Sequence, residues 1–295
     1  MFYLIFKDEL KKRAKEIEDE LITYVRTKDV PEKKLNEAIE YSLMAGGKRI
    51  RPVLMLEVFR LFSDDIKVVM PFAVAMEMLH NFSLIHDDLP GIDNDDFRHG
   101  KPTNHKMFGE STAILAGDSL FNEAYLTISE SIRENLSNEK AEAFYEFSHS
   151  ADRMIIGEYV DTEFEGKPIS QEYLEYIHIN KTAELIKGSV RIGAILSGAP
   201  KDDLEKLTNY AEKIGLAFQI KDDILSEIGD EKVLGKPVGN DKKKNKCTYV
   251  TKYGLDVAKE TLHKITNEAI QIISSYGEKG EFLKELAIFI ETREK

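Results

Sequence analysis

A chain of 295 residues with 42% hydrophobic and 32% charged residues has the means to bury a large core, which excludes the disordered class. A net charge of −12 makes it a poor non-specific partner for nucleic acid or an anionic membrane, so an anionic substrate would need a local basic pocket or bound cations. The single cysteine, Cys247, excludes an intrachain disulfide and fits a reducing compartment.

The opening MFYLIFKDEL has a short apolar patch with neither a basic flank nor a small-residue cleavage site, which argues against a signal peptide. The longest uncharged apolar stretch, Val68 to Met76, is far too short to span a membrane, so a cytoplasmic location is expected. Over residues 8–27, Leu10, Ala14, Ile17, Leu21 and Val25 recur at steps of three or four, the period of an amphipathic helix. Pro31 is expected to open a second helix that closes near Ala45-Gly46-Gly47. A third is expected over 51–63, and a fourth over 71–88, apolar all round and therefore central. Residues 93–108, polar and broken by Gly100 and Pro102, read as a loop. Helices are then expected over 111–135, 138–166, 181–198, 201–228, 255–276 and 280–294. No stretch alternates with a period of two, and no polar linker divides the chain. The expectation is one all-α domain spanning residues 1–295.

Two acidic clusters stand out. In His86-Asp87-Asp88-Leu89-Pro90-Gly91-Ile92-Asp93-Asn94-Asp95-Asp96, five carboxylates fall within ten residues at the end of the apolar helix. Crowded carboxylates repel one another and lose solvation, which calls for a neutralising partner, and hard divalent cations with oxygen ligands fill that role best. The alternative is a plain helix end followed by a solvated acidic turn. Pro90-Gly91 breaks the helix, so Asp93 must be folded back if it is to share a metal with Asp87. The second cluster, Asp222-Asp223, lies in mid-helix. There Ala211, Ile214, Phe218 and Leu225 form one apolar stripe, and Gln219, Asp222, Asp223 and Ser226 are expected on another face. Alone it would be a solvated face. Across a cavity from the first cluster, it would hold one diphosphate through several metal ions.

Basic counterparts flank both clusters. Gly46-Gly47-Lys48-Arg49-Ile50-Arg51-Pro52 places three cations beside a Gly-Gly break, where the backbone can approach a phosphate closely. Arg98-His99-Gly100-Lys101 follows the first cluster; Leu234-Gly-Lys-Pro-Val-Gly239 and the run from Lys242 to Lys246 follow the second. The lysine run reads as a solvated loop. The Gly-Gly-Lys is no nucleotide P-loop, since its longer signature is absent. Acidic clusters that bind metal, and basic clusters that bind an anion without metal, describe a site for two diphosphates.

The segment from Ser83 to His105 closely resembles the first aspartate-rich motif of the trans-polyprenyl diphosphate synthases, and Phe218-Gln-Ile-Lys-Asp-Asp-Ile-Leu225 resembles the second. Gly47-Lys-Arg-Ile-Arg-Pro52, Lys181-Thr182 and Leu234-Gly-Lys-Pro-Val-Gly239 match the family in the right order, so the resemblance spans nearly the whole chain. It implies about ten core helices around a deep cavity, usually in a homodimer, and head-to-tail condensation of an allylic diphosphate with isopentenyl diphosphate. It assigns Mg²⁺, three ions per site with substrate bound, to Asp87, Asp88, Asp93, Asp222 and Asp223. Arg98, Lys181 and Lys236 would contact the allylic diphosphate. Lys48, Arg51, His80 and His99 would hold isopentenyl diphosphate. Thr182 and Gln219 would flank the reacting carbons, as Lys181 also does, while His86 would be structural.

The longer D-D-x₄-D spacing resembles that of bacterial short-chain enzymes. In relatives, bulk just before the first motif floors the cavity, and Phe82 with Ser83 looks like the pattern for a C15 product. A C20 product is the alternative, and a Phe82 that merely packs in the core is the plain reading. Two positions depart from the family. His99 replaces the usual second Arg after the first motif, exchanging a permanent bidentate charge for a side chain mostly neutral near pH 7. Ser226 replaces the third Asp of the second motif. The departures keep two other readings in view: a weakly active or non-catalytic prenyl-diphosphate-binding subunit, and a helical terpene cyclase. The Lys48/Arg51 site for a second diphosphate argues against the cyclase.

Overall fold

In α1 (Phe2–Tyr24), Phe6, Leu10, Ile17 and Leu21 recur at helical spacing and all four are buried. The computed structural model describes residues 2–25, 29, 31–167, 169–228 and 248–294. Next come α2 (Lys34–Leu43) and α3 (Ile50–Arg60), joined by a loop in which Gly46 and Gly47 take φ of 98° and 139°. Only glycine adopts such values without strain, so the Gly-Gly pair is what lets the chain reverse here. The second helix begins three residues after Pro31 rather than at it.

Helix α4 (Met70–Asp87) is buried on every side through its first ten residues, and it packs against α1, α2, α3, α6 and α9. Full burial of a side chain such as Phe72 contributes about 1.5–3 kcal/mol, and this helix supplies many of them. The expected loop after it contains a two-residue antiparallel hairpin, β1 (Phe97–Arg98) and β2 (Lys101–Pro102), and the short helix α5 (Asn104–Phe108). His99 and Gly100 at the hairpin tip both have positive φ, 52° and 75°, the geometry of a tight two-residue turn.

Two long helices follow, α6 (Glu110–Glu134) and α7 (Asn138–Glu163), close to expectation. The next element differs from its expected span of 181–198. It starts ten residues earlier as α8 (Gln171–Ile177), capped by Ser170 accepting from the amide of Tyr173. It then widens into a π-helix (His178–Ala183) and resumes as α9 (Glu184–Leu196). Helix α10 (Lys201–Ile228) spans its expected range. Beyond it lie α11 (Tyr249–Tyr253), opened by a Thr248/Thr251 capping box, and α12 (Leu255–Ile273). A 3₁₀ segment (Ser274–Gly280) kinked at Gly277 leads into α13 (Glu281–Thr292). The last helix closes back on the first: Phe6 meets Phe282 at 5.1 Å and Phe289 at 5.5 Å. The result is an all-α bundle with α4 at its centre and the C-terminal end of α4 opening onto the acidic segment.

Candidate active site

Helix α4 delivers Asp87, and Pro90-Gly91 then turns the chain back. The amide of Leu89 donates to His86, that of Asn94 to Leu89, and that of Asp93 to the carbonyl of Asp87 at 2.8 Å. This fold-back brings Asp93 beside Asp87 despite the broken helix. His86 is tied below it, its Nε2 3.0 Å from the carbonyl oxygen of Ile114 on α6.

The two adjacent aspartates have different surroundings. Asp88 is 3% exposed and accepts a forked pair from Arg98: Nε lies 2.9 Å from both oxygens and Nη2 2.6 Å from Oδ1. Burial raises the Asp88 carboxyl, and Arg98 partly offsets the rise. Asp87 is pushed up to about 7, first by burial and then by the Glu158 and Asp93 charges, against the pull of Lys181 and Arg98. Asp96 lies outside this group, paired with Lys106 at 2.7 Å.

Lys181 sits in the π-helix with its ammonium 2.6 Å from Asp161 and 2.7 Å from Glu158, both on α7. Burial lowers its pKa, but Asp161, Glu158 and Asp87 outweigh that and raise it overall. The close approach depends on Gly157, because a Cβ there would lie 2.3 Å from the Lys181 backbone nitrogen. Sequence reasoning did not find Glu158 or Asp161. Their signal was available: two carboxylates at i, i+3 directly after a mid-helix glycine. Thr182 is half-buried beside Lys181.

In the second cluster, Asp222 and Asp223 do not share a face, a correction to the expected acidic stripe. Successive helical residues point about 100° apart. Asp223 turns inward, 6% exposed, accepting from the Tyr249 amide at 2.7 Å and from Gln219 Nε2 at 3.0 Å, with His178 Nε2 3.6 Å away. Burial holds His178 down at about 4, which keeps it neutral. Asp222 stays half-exposed and accepts from Arg293 Nη2 at 2.5 Å. That guanidinium lies 4.3 Å above the Phe218 ring and also donates to the Phe218 carbonyl. Arg293 was invisible to sequence reasoning, being 71 residues away with no motif of its own. Lys236, with residues 234–239 and 242–246, lies outside the described residues.

The three cations of the Gly-Gly loop divide their tasks. Arg49, at φ 49°, is buried and structural: it donates to Glu77 at 2.6 Å and to the Leu43 carbonyl at 2.5 Å. Arg51 Nη1 lies 3.1 Å from His80 Nε2. Since a guanidinium only donates, Nε2 accepts and the neutral ring carries its proton on Nδ1. Burial lowers the pKa of Arg51, opposed by the Glu77 and Asp222 charges. His80 is held well below the ordinary histidine value by burial, then by Arg51, Arg98, Arg49 and His99. Arg51, His80, Arg98 and His99 are therefore electrostatic neighbours, and Lys48 is half-buried in the same loop. Ser83 donates to the His80 carbonyl, and the Phe82 ring stands edge-on to His86 at 4.8 Å.

The charges suit divalent cations. Asp87, Asp88, Asp93, Glu158 and Asp161 crowd around two cations, Arg98 and Lys181. The raised Asp87 pKa registers the shortfall of positive charge, and oxygen donors are the kind Mg²⁺ takes, although among the described residues no three of them are already gathered into a metal-holding group. The Lys181–Asp161 pair also links the two clusters, because Asp161 acts electrostatically on His178, which touches Asp223. One end of the bundle thus holds an acidic half able to take a metal-bound anion and a basic half able to take an anion directly.

Known proteins share both the sequence and the fold. Residues 32–286 match the polyprenyl synthetase family. The chain is 41% identical over 285 residues to the farnesyl diphosphate synthase of Bacillus subtilis, covering 96% of each chain. It is 42% identical over 265 residues to the chloroplastic geranylgeranyl pyrophosphate synthase of Catharanthus roseus, covering 88% of this chain and 74% of that one. Its fold matches the crystal structure of geranyltranstransferase from Thermotoga maritima with a TM-score of 0.79 at 35% identity, over 97% of this chain and all of the other. With the motifs, the bundle and these likenesses in agreement over nearly its full length, the chain belongs to the polyprenyl synthetase family.

Proposed function

We propose that this chain joins isopentenyl diphosphate head-to-tail to dimethylallyl or geranyl diphosphate, giving farnesyl diphosphate (C15), and that residues 1–295 act as one domain in doing so. The observation that carries the reading is the pairing of two unlike anion sites. Asp87 and Asp93 are folded together beside Lys181 and Arg98, and Arg51 and His80 stand together in a basic group of their own. A cyclase acting on one diphosphate has no need of the second.

Mg²⁺ would be held by Asp87, Asp93 and Asp222, with Asp88, Asp222 and Asp223 reaching it by exchanging their Arg98, Arg293 and Tyr249 partners, and it would stabilise charge on the departing diphosphate. Three ions per site is the number the family pattern favours. Arg98 and Lys181, and Lys236 from the second basic motif, hold the allylic diphosphate and steady it as the C–O bond ionises to an allylic cation. Lys48, Arg51, His80 and His99 position isopentenyl diphosphate so that its double bond attacks that cation. Thr182 and Gln219 border the reacting carbons. The proton lost from the new chain passes to the departing diphosphate, so no side-chain base is required. Phe82 sets the depth available to the product.

A homodimer fits the exposed apolar side chains along α6 and α7, such as Leu115, Tyr145 and Tyr159, and sedimentation would measure it. No helix among the described residues is long and apolar enough to cross a membrane, which accords with a cytoplasmic enzyme. The deciding experiment incubates purified protein with Mg²⁺, isopentenyl diphosphate and C5, C10 or C15 allylic diphosphates. The reading expects C5 and C10 to be elongated to C15; absence of any elongation overturns it, and a C20 product overturns the chain-length assignment. A Phe82→Ala variant that still stops at C15 removes Phe82 from its role.

A further inference from the structure

We infer that Tyr41 on α2 is a positioning residue for the site: it staples the β1–β2 hairpin, and with it Arg98 and His99, to the bundle while Arg98 exchanges Asp88 for a bound diphosphate. The inference rests on the prenyl-elongation reading for what the hairpin binds.

The hairpin does not hold itself. Its strands are two residues long, and an isolated two-stranded hairpin is marginally stable at best in water. Pro102 brings no N–H to the ladder. His99, Gly100, Lys101 and Pro102 are exposed, and Phe97 is 60% exposed, so little apolar burial pins the segment down. Behind it, between α2 and α4, lies a cavity of about 30 Å³ lined among others by Tyr41, Asp88, Arg98 and Asn104. That is room for about two water molecules. The buried Asn104 Oδ1, which accepts from no protein group, borders the same space. A segment backed by such a space is held by individual bonds rather than by packing.

Those bonds differ in what a ligand does to them. Arg98 closes on Asp88 of α4. Thr103 ties the base, its amide donating to the Asp96 carbonyl at 3.0 Å and its hydroxyl to the Asp95 carbonyl at 2.8 Å. Just beyond, Asn104 Nδ2 donates to the Ala38 carbonyl and the Ser42 hydroxyl of α2, each at 2.8 Å. Tyr41 grips the paired strands. Its hydroxyl donates to the Pro102 carbonyl at 2.8 Å, and the Lys101 ammonium lies 5.8 Å from its ring centroid. The ring is fixed in turn edge-on to Phe108 at 5.4 Å.

The strand register carries this grip to the cations. Pro102 pairs with Phe97 and Lys101 with Arg98, so Tyr41 holds the strand directly opposite Arg98. Where the hairpin sits matters to both halves of the site. The Asp87 carboxyl, raised first by burial, and the His80 imidazole, lowered first by burial, both also feel the Arg98 charge. The Arg98–Asp88 bond is the one a ligand consumes, because Arg98 turns to the diphosphate. Thr103 and Asn104 fix only the base. Tyr41 is a tie on the strands themselves that a ligand leaves intact.

The chain has no tryptophan, so Phe97→Trp places a single fluorescent reporter on the hairpin of the full chain. Tyr41→Phe removes only the hydroxyl and keeps the ring against Phe108, so the fold is not at stake. In the Phe97→Trp background it is expected to lower the reporter's anisotropy while the urea midpoint hardly moves. With Mg²⁺, the KM values for geranyl and isopentenyl diphosphates should both rise about two- to tenfold, the effect of losing one hydrogen bond, with kcat near wild type. Tyr41→Leu, which removes the ring as well, should exceed Tyr41→Phe in both readouts. A merely structural role gives the opposite split, because a smaller folded fraction lowers kcat and leaves KM unchanged. That split, or an anisotropy unmoved in both Tyr41 variants, overturns the staple. If the wild-type chain elongates nothing, the elongation reading falls by itself. Titrating the reporter with inorganic diphosphate then decides the staple alone: weaker binding in Tyr41→Phe upholds it, and equal binding overturns it.

Discussion

Replacing Gly157 by alanine puts one methyl group at the most crowded backbone contact near Lys181. The added Cβ would lie 2.3 Å from the Lys181 nitrogen, 2.7 Å from the Asn180 carbonyl carbon and 2.8 Å from the Lys181 Cα. Ordinary contact begins near 3.4 Å, so α7 and the π-helix must part by about 1.1 Å. All three atoms belong to the backbone, which leaves no rotamer to relieve the clash. Overpacking of this kind costs about 1–3 kcal/mol, against which the better helix propensity of alanine returns about 0.5–1 kcal/mol. The larger effect falls on catalysis. Lys181 is held by Glu158 and Asp161, one and four residues beyond Gly157, so a shift of α7 moves the ammonium with it. A misplacement of about 1 Å can cost about 100-fold in rate. Gly157→Ala is therefore expected to lower kcat by one to two orders of magnitude, with a modest fall in the urea midpoint. Gly117→Ala is the control. Its Cβ would lie 2.2 Å from His86 Nε2, a side chain that can swing aside at the loss of its bond to Ile114, about 1 kcal/mol. Wild-type kcat in Gly157→Ala would refute the reasoning.

Three further outcomes are expected. Arg49→Met leaves Glu77 buried without its cation, which should cost about 3–5 kcal/mol in denaturant unfolding, and adding Glu77→Gln should recover much of the loss. His80 resists protonation in the folded protein, while the unfolded chain takes up a proton below about pH 6.5; its contribution is complete above that pH and declines on acidification, so the urea midpoint should fall from pH 7.5 to pH 5 and fall less in His80→Asn. His99→Arg, which places a permanent bidentate charge at the same position, should lower the KM for isopentenyl diphosphate; an unchanged KM would remove His99 from the diphosphate site.

Much of the bundle was legible because its helices carry their own signals. The stripe from Leu10 to Leu21 and the all-round apolarity of α4 state both the element and its burial, and α6, α7 and α10 kept their expected spans to within a few residues. The start of α8 was lost because the helix has only seven residues and a single buried apolar pair, Leu174 and Ile177, too short a period to announce it beside the exposed Tyr173 and Tyr176. The hairpin at residues 97–102 has two-residue strands, too short to show an alternation. In the site, motif residues were readable wherever they cluster in sequence. Glu158, Asp161 and Arg293 were not, because what they do depends on packing across 20 or more residues.

Each acidic motif begins with adjacent aspartates, and the helix forces the two members of each pair apart. In both pairs the second is taken by the protein. Asp88 closes on Arg98, and Asp223 accepts from the Tyr249 amide and Gln219. In both, the first stays nearer the solvent. Asp87 is raised to about 7 among other acids, and Asp222 is half-exposed beneath Arg293. A carboxylate held by a buried arginine or amide must first give up bonds made in a low-dielectric setting before it takes a metal, and that applies to Asp88 and Asp223 and also to Asp222 under the buried Arg293. Asp87, whose ionised form is disfavoured by burial and by Glu158 and Asp93, gains most, because a divalent ion offsets both effects. In the first pair this amounts to a division of labour: Asp88 fixes Arg98 and the local backbone, and that frame holds Asp87 beside Asp93, where a diphosphate and its cations would meet it.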